Sequence, residues 1–390
     1  MINVINNKIN CCGCNACVQI CPKQCINIVL DDEGFWYPAV DLSICVDCGL
    51  CEKVCPVINR YEEKKEPLKS VACRTSDKDL LEKSSSGGFF SELAQYIISQ
   101  EGVVFGARFD KNWNVVHDYV ETLEGLSVFR GSKYVQSNIG NTYKHVQNFL
   151  KEGRLVLFSG TPCQISGLNH FLRCEYDNLI TIDFVCHSCP NPTIWDRYLK
   201  EISEKNNVSK ITNITFRSKK NGWSKYSLEI QGVVDGKEKQ ILLESQNKNL
   251  YLRGFLQDLY TRPSCSQCPA RNYTSNSDIT MCDFWGMNKY YPELMDEKGM
   301  SIVLLNTQKS LKIFDSIKEI FFNFEIPYLQ VEPKGLHLTI TESVNKHPNR
   351  EKFYKELLKS KSLLTLIYKN LWYFELKKSI WRGLKYLKLR

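Results

Sequence analysis

Eight cysteines near the amino end fall into two runs of one pattern. Cys11, Cys14, Cys17 and Cys21 precede Pro22, and 34 residues on Cys45, Cys48, Cys51 and Cys55 precede Pro56. Each run reads C-x2-C-x2-C-x3-C-P. A tight loop presents three thiolates to one [4Fe–4S] cubane, and in this pattern the fourth cysteine serves the other cluster. The spacing therefore predicts two ligand sets: Cys11, Cys14, Cys17 with Cys55, and Cys45, Cys48, Cys51 with Cys21. The prolines end each loop and stop a helix continuing. A zinc site uses one pair of knuckles rather than two four-cysteine runs, and a disulfide framework suits a small secreted domain. The chemistry implied is electron transfer.

A second group of thiols follows later. Cys163 and Cys186 each come directly after an apolar run that reads as a sheet strand, and Cys265-x2-Cys268 follows Arg262-Pro263-Ser264. Ligands in open α/β sheets collect at the carboxyl ends of strands, so Cys163 and Cys186 are expected to face one crevice. Cys163 also begins a helix, where the N-terminal dipole favours a thiolate. Together the four suit a third cubane; two buried thiols and a small zinc knuckle are the plainer alternative. Two turns rich in glycine and hydroxyls, Ser84–Gly88 and Gly131–Tyr134, offer backbone N–H groups to a pyrophosphate, with Lys133 as a point charge. By themselves such turns are more often ordinary caps, and neither is a G-x-G-x-x-G fingerprint.

The elements that must position these groups change character along the chain. Residues 1–60 read as an α+β ferredoxin-like module, with Phe35-Trp36-Tyr37 in a short hairpin or loop between the cysteine runs and Trp36 and Tyr37 covering a cluster. A charged, proline-ended linker spans 61–67. An α/β body follows over 68–340, because strands and helices interleave there. The pattern predicts helices at 89–98, 138–150 and 311–321, and strands at 103–109, 115–120, 155–158, 179–185, 211–216, 226–230, 241–243 and 302–306. Cys12 reads as a bystander of Cys11, and Cys25, Cys73 and Cys174 as small core residues.

Six motifs then occur in one order. They are Ser84–Gly88; Gly131-Ser132-Lys133-Tyr134-Val135-Gln136-Ser137; Ser159-Gly160-Thr161-Pro162-Cys163-Gln164-Ile165; Cys186-His187; Arg262-Pro263-Ser264-Cys265-x2-Cys268; and Ser277-Asp278-Ile279-Thr280 with Asp283-Phe284-Trp285-Gly286. Together they resemble the family of coenzyme F420 hydrogenase/dehydrogenase beta subunits, over about 68–340. The resemblance implies a flavin-binding body in which FAD sits beside a [4Fe–4S] cluster. By position it makes Cys163, Cys186, Cys265 and Cys268 that cluster's ligands and turns Ser86, Gly87, Gly88, Ser132, Lys133 and Tyr134 toward the flavin. His187 and Asp283 become the candidate proton-transfer groups. Two departures, Ser188 with the additional thiol Cys189 and Cys282 before Asp283, fall where a substrate pocket is expected.

Bulk properties set the remaining limits. Hydrophobic residues make up 43% and charged residues 24% of the 390, an ordinary globular balance. No apolar run is long enough to span a bilayer, and MINVINNKIN lacks an export pattern, so the reading is cytoplasmic. The net charge of +8 is local: residues 346–390 hold 13 Lys/Arg against 3 Asp/Glu, leaving the rest at −2. Basic and apolar residues interleave over 363–389. A tail over 341–390 thus suits either peripheral contact with the inner membrane face or a helix packed on the body with a solvated basic side. No nucleic-acid motif accompanies the charge. The function expected is an iron–sulfur flavoprotein oxidoreductase with a redox partner protein or ferredoxin and a small-molecule acceptor. The rival is a non-catalytic electron-transfer subunit of a larger assembly.

Overall fold

The computed structural model describes residues 8–62, 66–331 and 338–372. At the amino end, β1 (Ile26–Leu30) and β2 (Trp36–Val40) pair antiparallel, with Ile26 opposite Val40. Each cysteine run winds through one short helix, Ala16–Ile20 or Leu50–Lys53; the first packs beside this hairpin and the second on the first.

The body contributes β3 (Lys69–Thr75), β4 (Val103–Phe109), β5 (Val115–Val120), β6 (Val156–Ser159), β7 (Leu179–Phe184), β8 (Lys210–Ser218), β9 (Ser227–Val234), β10 (Lys237–Ser245), β11 (Ile279–Asp283), β12 (Ser301–Leu305) and β13 (Phe321–Glu325). Eight of these form one mixed sheet in the order β13-β3-β12-β11-β7-β6-β4-β5. Its centre, β11-β7-β6-β4, is parallel, and antiparallel strands flank it on both sides. Near-continuous apolar strands such as β6 and β12 fit that central place, because both faces are covered. Val104, Leu157 and Ile180 pack under the helices Phe89–Ser99 and Gln308–Ile317. Val103, Phe105, Val156 and Phe158 point the other way, onto Thr142–Lys151 and Pro162–Leu172. Alternation along a strand sorts the two layers. A separate antiparallel sheet, β10-β9-β8, carries its own aromatic core.

Of three expectations, two need correction and one, the packed tail, holds for the part described. The helix expected from residue 138 starts at Thr142, because Asn138 exchanges backbone hydrogen bonds with Val115 and His117 at the sheet edge. The helix expected to reach Phe321 ends at Ile317, since Phe321–Glu325 instead extends the sheet beside β3. The third concerns the tail. Its first part is core: Phe353, Leu357, Leu363, Leu366, Ile367 and Leu371 are buried with Trp195, Tyr198 and Tyr251. Tyr368 and Trp372 are exposed, while Phe374, Ile380, Trp381, Leu384 and Leu387 lie outside the described residues. Among the described residues no helix is long and apolar enough to cross a membrane.

The N-terminal module is seated on the body by specific contacts. Arg350 grips the Glu33 carboxylate through both terminal nitrogens, at 2.9 and 2.5 Å. Asn191 donates to Glu33 O (2.7 Å) and Thr193 to Gly34 O (3.1 Å). Cys12, Cys14, Ala16 and Val54 share one apolar cluster with the helix Pro162–Leu172.

Candidate metal centres

Two hollows open in the N-terminal module, and their linings sort the eight cysteines. An inner one of about 370 Å³, counting its open part, is lined by Cys11, Cys14, Cys17 and Cys55, with Cys12 beside them. An outer one of about 380 Å³ is lined by Cys21, Cys45, Cys48 and Cys51, with Cys25 beside them. The structure thus brings the thiols together in the two groups expected from spacing. Among the described residues no three His, Cys, Asp or Glu side chains close on one point as a lone metal ion requires. Soft thiols around open space fit a polynuclear iron–sulfur group instead. Burial pushes the Cys17 and Cys55 thiols up, and metal binding would have to displace those protons. Cys48, by contrast, is exposed.

The thiols set aside on sequence grounds divide. Cys73 is core, but Cys174 is exposed, because it sits just beyond the end of its helix. The Cys25 sulfur lies 3.4 Å from that of Cys21. Cys12 is buried in the apolar cluster that holds Cys14 and against which Cys163 packs. The helix Pro162–Leu172 passes so close to the inner hollow that a Cβ at Gly167 would stand 2.7 Å from Cys14 Cβ and 2.9 Å from its sulfur. Gly167→Ala is therefore expected to displace Cys14, costing about 1–3 kcal/mol by overpacking and about four irons per chain. Iron analysis after anaerobic reconstitution, with thermal unfolding, checks this; parent-like values in both would exclude the close approach.

A third group gathers where β6 and β7, adjacent and parallel, end. Their carboxyl ends deliver Cys163 and Cys186, and the stretch Pro263–Gln267 crosses them with Cys265 and Cys268. Backbone bonds hold the crossing: Arg262 N donates to Cys189 O (2.8 Å), and Cys189 N points at the Cys265 sulfur (3.3 Å). Arg271 donates to Cys186 O (2.7 Å) and His187 O (3.1 Å). Ser275 donates to the buried Asp183 carboxylate (2.6 Å), which burial pushes up to about 6. Burial also raises Cys186, Cys189, Cys265 and Cys268, Cys265 to about 12, and neighbouring thiols add to each. The neighbouring Cys12 thiol first and burial second push Cys163 up. Cys189 is a fifth thiol in this group. Its signal was present in the sequence, since Cys186-x2-Cys189 repeats the spacing of Cys265-x2-Cys268.

The two hydroxyl-rich turns meet beside this group. Ser132 N donates to Ser85 Oγ at 2.8 Å. Ser86 Oγ donates to Met300 O (2.8 Å), and Gly87 N to Ser301 Oγ (2.9 Å). Gly87 must be glycine, as a Cβ would lie 2.3 Å from Cys73 O. Gly88 caps the helix Phe89–Ser99 with φ 84°. Lys133 Nζ donates to Val128 O and Arg130 O, both at 3.0 Å, and withdrawal of this ammonium from solvent lowers it to about 7. Several groups expected to face a phosphate are thus engaged by protein atoms. Arg130 Nε, His117 Nδ1 and Arg217 Nε, however, are buried around these turns without a hydrogen-bond partner among the described residues. Such atoms mark places where a polar ligand fits.

Arg217 is the residue sequence reasoning missed. It reaches from the end of β8 to hold Asp283 at 2.8 and 3.1 Å, donates to Ser85 O (3.2 Å) and lies over the Tyr226 ring at 4.1 Å. Trp223 donates to Asp283 (3.1 Å) and stacks on Trp285 at 4.7 Å. Asp283 is therefore tied into an ion pair that anchors the turns. His187 Nε2 stands 3.3 Å from Asp258 Oδ1, and Ser188 donates to the same oxygen at 2.9 Å. Phe255 separates His187 from Tyr134, with ring centroids 5.2 and 5.0 Å away. Cys282 departs from its expected place: it faces the opposite side of β11 from Asp283, among Tyr273, Phe284 and Ile302.

Comparison with known proteins agrees with this division. Residues 10–59 match the family described as 4Fe-4S dicluster domain. Residues 153–323 match the family described as the carboxyl terminus of the coenzyme F420 hydrogenase/dehydrogenase beta subunit. A 7Fe ferredoxin of Hydrogenibacillus schlegelii is 35% identical over 68 residues, 17% of this chain and 81% of that protein. One F(420)H(2) dehydrogenase subunit, from Methanosarcina mazei, is 22% identical over 223 residues, 53% of this chain and 61% of its own length. A chain of the F420-reducing [NiFe] hydrogenase complex from Methanosarcina barkeri aligns over 82% of this chain and 96% of its own, at 16% identity and a TM-score of 0.45.

Proposed function

The chain belongs to the family of coenzyme F420 hydrogenase/dehydrogenase beta subunits and carries a 4Fe–4S dicluster domain at its amino end, and from that premise we propose an iron–sulfur flavoprotein oxidoreductase with a small-molecule acceptor. When bound, the clusters would supply single electrons and FAD would pair them for a hydride-type transfer. The observation that carries the proposal is contiguity: Cys12 and Cys14 of the inner group share one apolar cluster, and Cys163 of the third group packs against it.

In this reading Cys11, Cys14, Cys17 and Cys55 hold one [4Fe–4S] cluster, and Cys21, Cys45, Cys48 and Cys51 a second. Cys163, Cys186, Cys265 and Cys268 hold a third, with Cys189 alongside. Ser86, Gly87, Gly88, Ser132, Lys133 and Tyr134 border FAD. The unsatisfied donors of Arg130 and Arg217 supply positive charge to its anionic part. His187, oriented by Asp258, is the group available to move a proton at Nε2; Asp283 positions Arg217. The acceptor is F420 or another small two-electron molecule.

A second reading, an electron-transfer subunit whose chemistry lies in a partner, draws on the occupied hydrogen bonds of Ser86 and Lys133. The M. mazei relative is itself named as a subunit, which supports partner proteins here. Protein purified anaerobically is expected to release FAD on denaturation, identified by mass. After chemical reduction it should reoxidise with one of F420, a quinone or a nicotinamide over many cycles. Iron without flavin, and no acceptor turned over after FAD reconstitution, would favour the second reading.

A further inference from the structure

A buried guanidinium normally stands against a carboxylate, because an isolated charge is costly away from water. Arg262 is 1% exposed, and among the described residues no carboxylate hydrogen-bonds to it. Its Nε donates to Cys11 O (2.8 Å), Nη1 to Gln136 Oε1 (3.2 Å) and Nη2 to Trp36 O (2.9 Å). Nη2 also lies 3.5 Å from the Cys11 sulfur. The guanidinium stacks 4.2 Å over the Tyr37 ring, with Phe35 beyond at 5.6 Å. Its backbone belongs to the third thiol group, bonded to Cys189 and three residues before Cys265. One residue thus spans both thiol groups. Among its hydrogen-bond partners, the one atom able to carry a full negative charge is sulfur.

We infer that Arg262 compensates the charge of the inner thiolate site and makes a cluster held there easier to reduce than the one at the outer site. This rests on the iron–sulfur reading above. Net charge and hydrogen bonds to sulfur are principal determinants of cluster potential. The outer site offers a contrast: Lys23 borders it, but Lys23 and Cys48 are both exposed, so solvent screens that charge. An electron arriving at the surface site is thereby favoured to move inward, one electron lost outside for one gained inside, with no bond or proton changed. Arg262 is a positioning and tuning residue, not a catalytic one.

The full chain, reconstituted anaerobically, is titrated with dithionite while the cluster signals are followed by electron paramagnetic resonance. Arg262→Gln keeps a donor but removes the charge. It is expected to lower the equilibrium constant for reducing the inner cluster at least tenfold, about 59 mV for one electron, with the outer cluster unmoved. Arg262→Lys, which keeps the charge, should recover most of that shift. Should Arg262→Gln fail to load iron, Gln136→Glu decides, because it sets a carboxylate against Nη1 while leaving the bonds to Cys11 and Trp36. It should shift the inner potential in the same direction. Loaded variants that titrate as the parent, or Arg262→Lys falling as far as Arg262→Gln, overturn the inference. A parent that takes up no iron instead overturns the iron–sulfur reading beneath it.

Discussion

Replacing Cys265 and Cys268 together by serine is expected to lower the iron content from about twelve atoms per chain to about eight, one cubane of three. Both thiols are withdrawn from solvent in a group of five, so serine cannot substitute as a soft ligand there. The N-terminal hollows share no backbone with Pro263–Gln267 and should load as before. Iron and sulfide analysis with low-temperature paramagnetic spectra measures this. Equal iron and identical spectra in variant and parent would eliminate a third cluster. One zinc per chain lost from the variant would instead make the group a zinc knuckle.

Arg217→Ala should produce as large a loss of stability as any single change near the hydroxyl-rich turns. The Arg217 side chain is 4% exposed and that of Asp283 16%, so truncation takes from a largely buried carboxylate the cation bonded to both its oxygens. Breaking a buried pair in this way costs about 3–5 kcal/mol. The same change frees Ser85 O and unsupports the Trp223–Trp285 stack, so bound flavin should be lost as well. Denaturant unfolding and the flavin-to-protein ratio are the two readouts. Asp283→Asn, which keeps the shape but leaves the more deeply buried Arg217 without its carboxylate, should cost a comparable amount. An Arg217→Ala protein that unfolds at the parent's midpoint would remove the anchoring role.

What the sequence made legible was local. The C-x2-C-x2-C runs state their own grouping, since ligand loops are built from neighbours in the chain. Cys163 and Cys186 could be placed together because each ends an apolar run, and parallel strands put such ends side by side. What stayed hidden depends on contacts between distant residues. Arg217 and Asp283 lie 66 residues apart, and Arg262 reaches Cys11 across 251. No periodicity marks either arginine as buried, because Arg is normally a surface residue. Val71 and Ala72 make β3 a central strand, yet the run is short and follows a charged linker, so it read as nothing in particular. The overlong helix to Phe321 shows the same ambiguity: short apolar runs fit helix and strand alike until a neighbouring edge decides.

The clasp between Glu33 and Arg350 bears on how the protein is made. These residues are 317 positions apart, so the ribosome completes the first module long before its seat exists. At about 5–20 residues per second the delay is roughly 15 to 60 s. Until the chain has grown past Arg262, Phe35 and Tyr37, buried in the finished fold, lack the side chain that covers them. The inner thiols also wait for the helix that backs Cys14. The outer thiols need none of this and are complete once Cys51 has emerged. Cofactor insertion during synthesis should therefore proceed from the outer site to the inner one, against the order in which the finished molecule buries them.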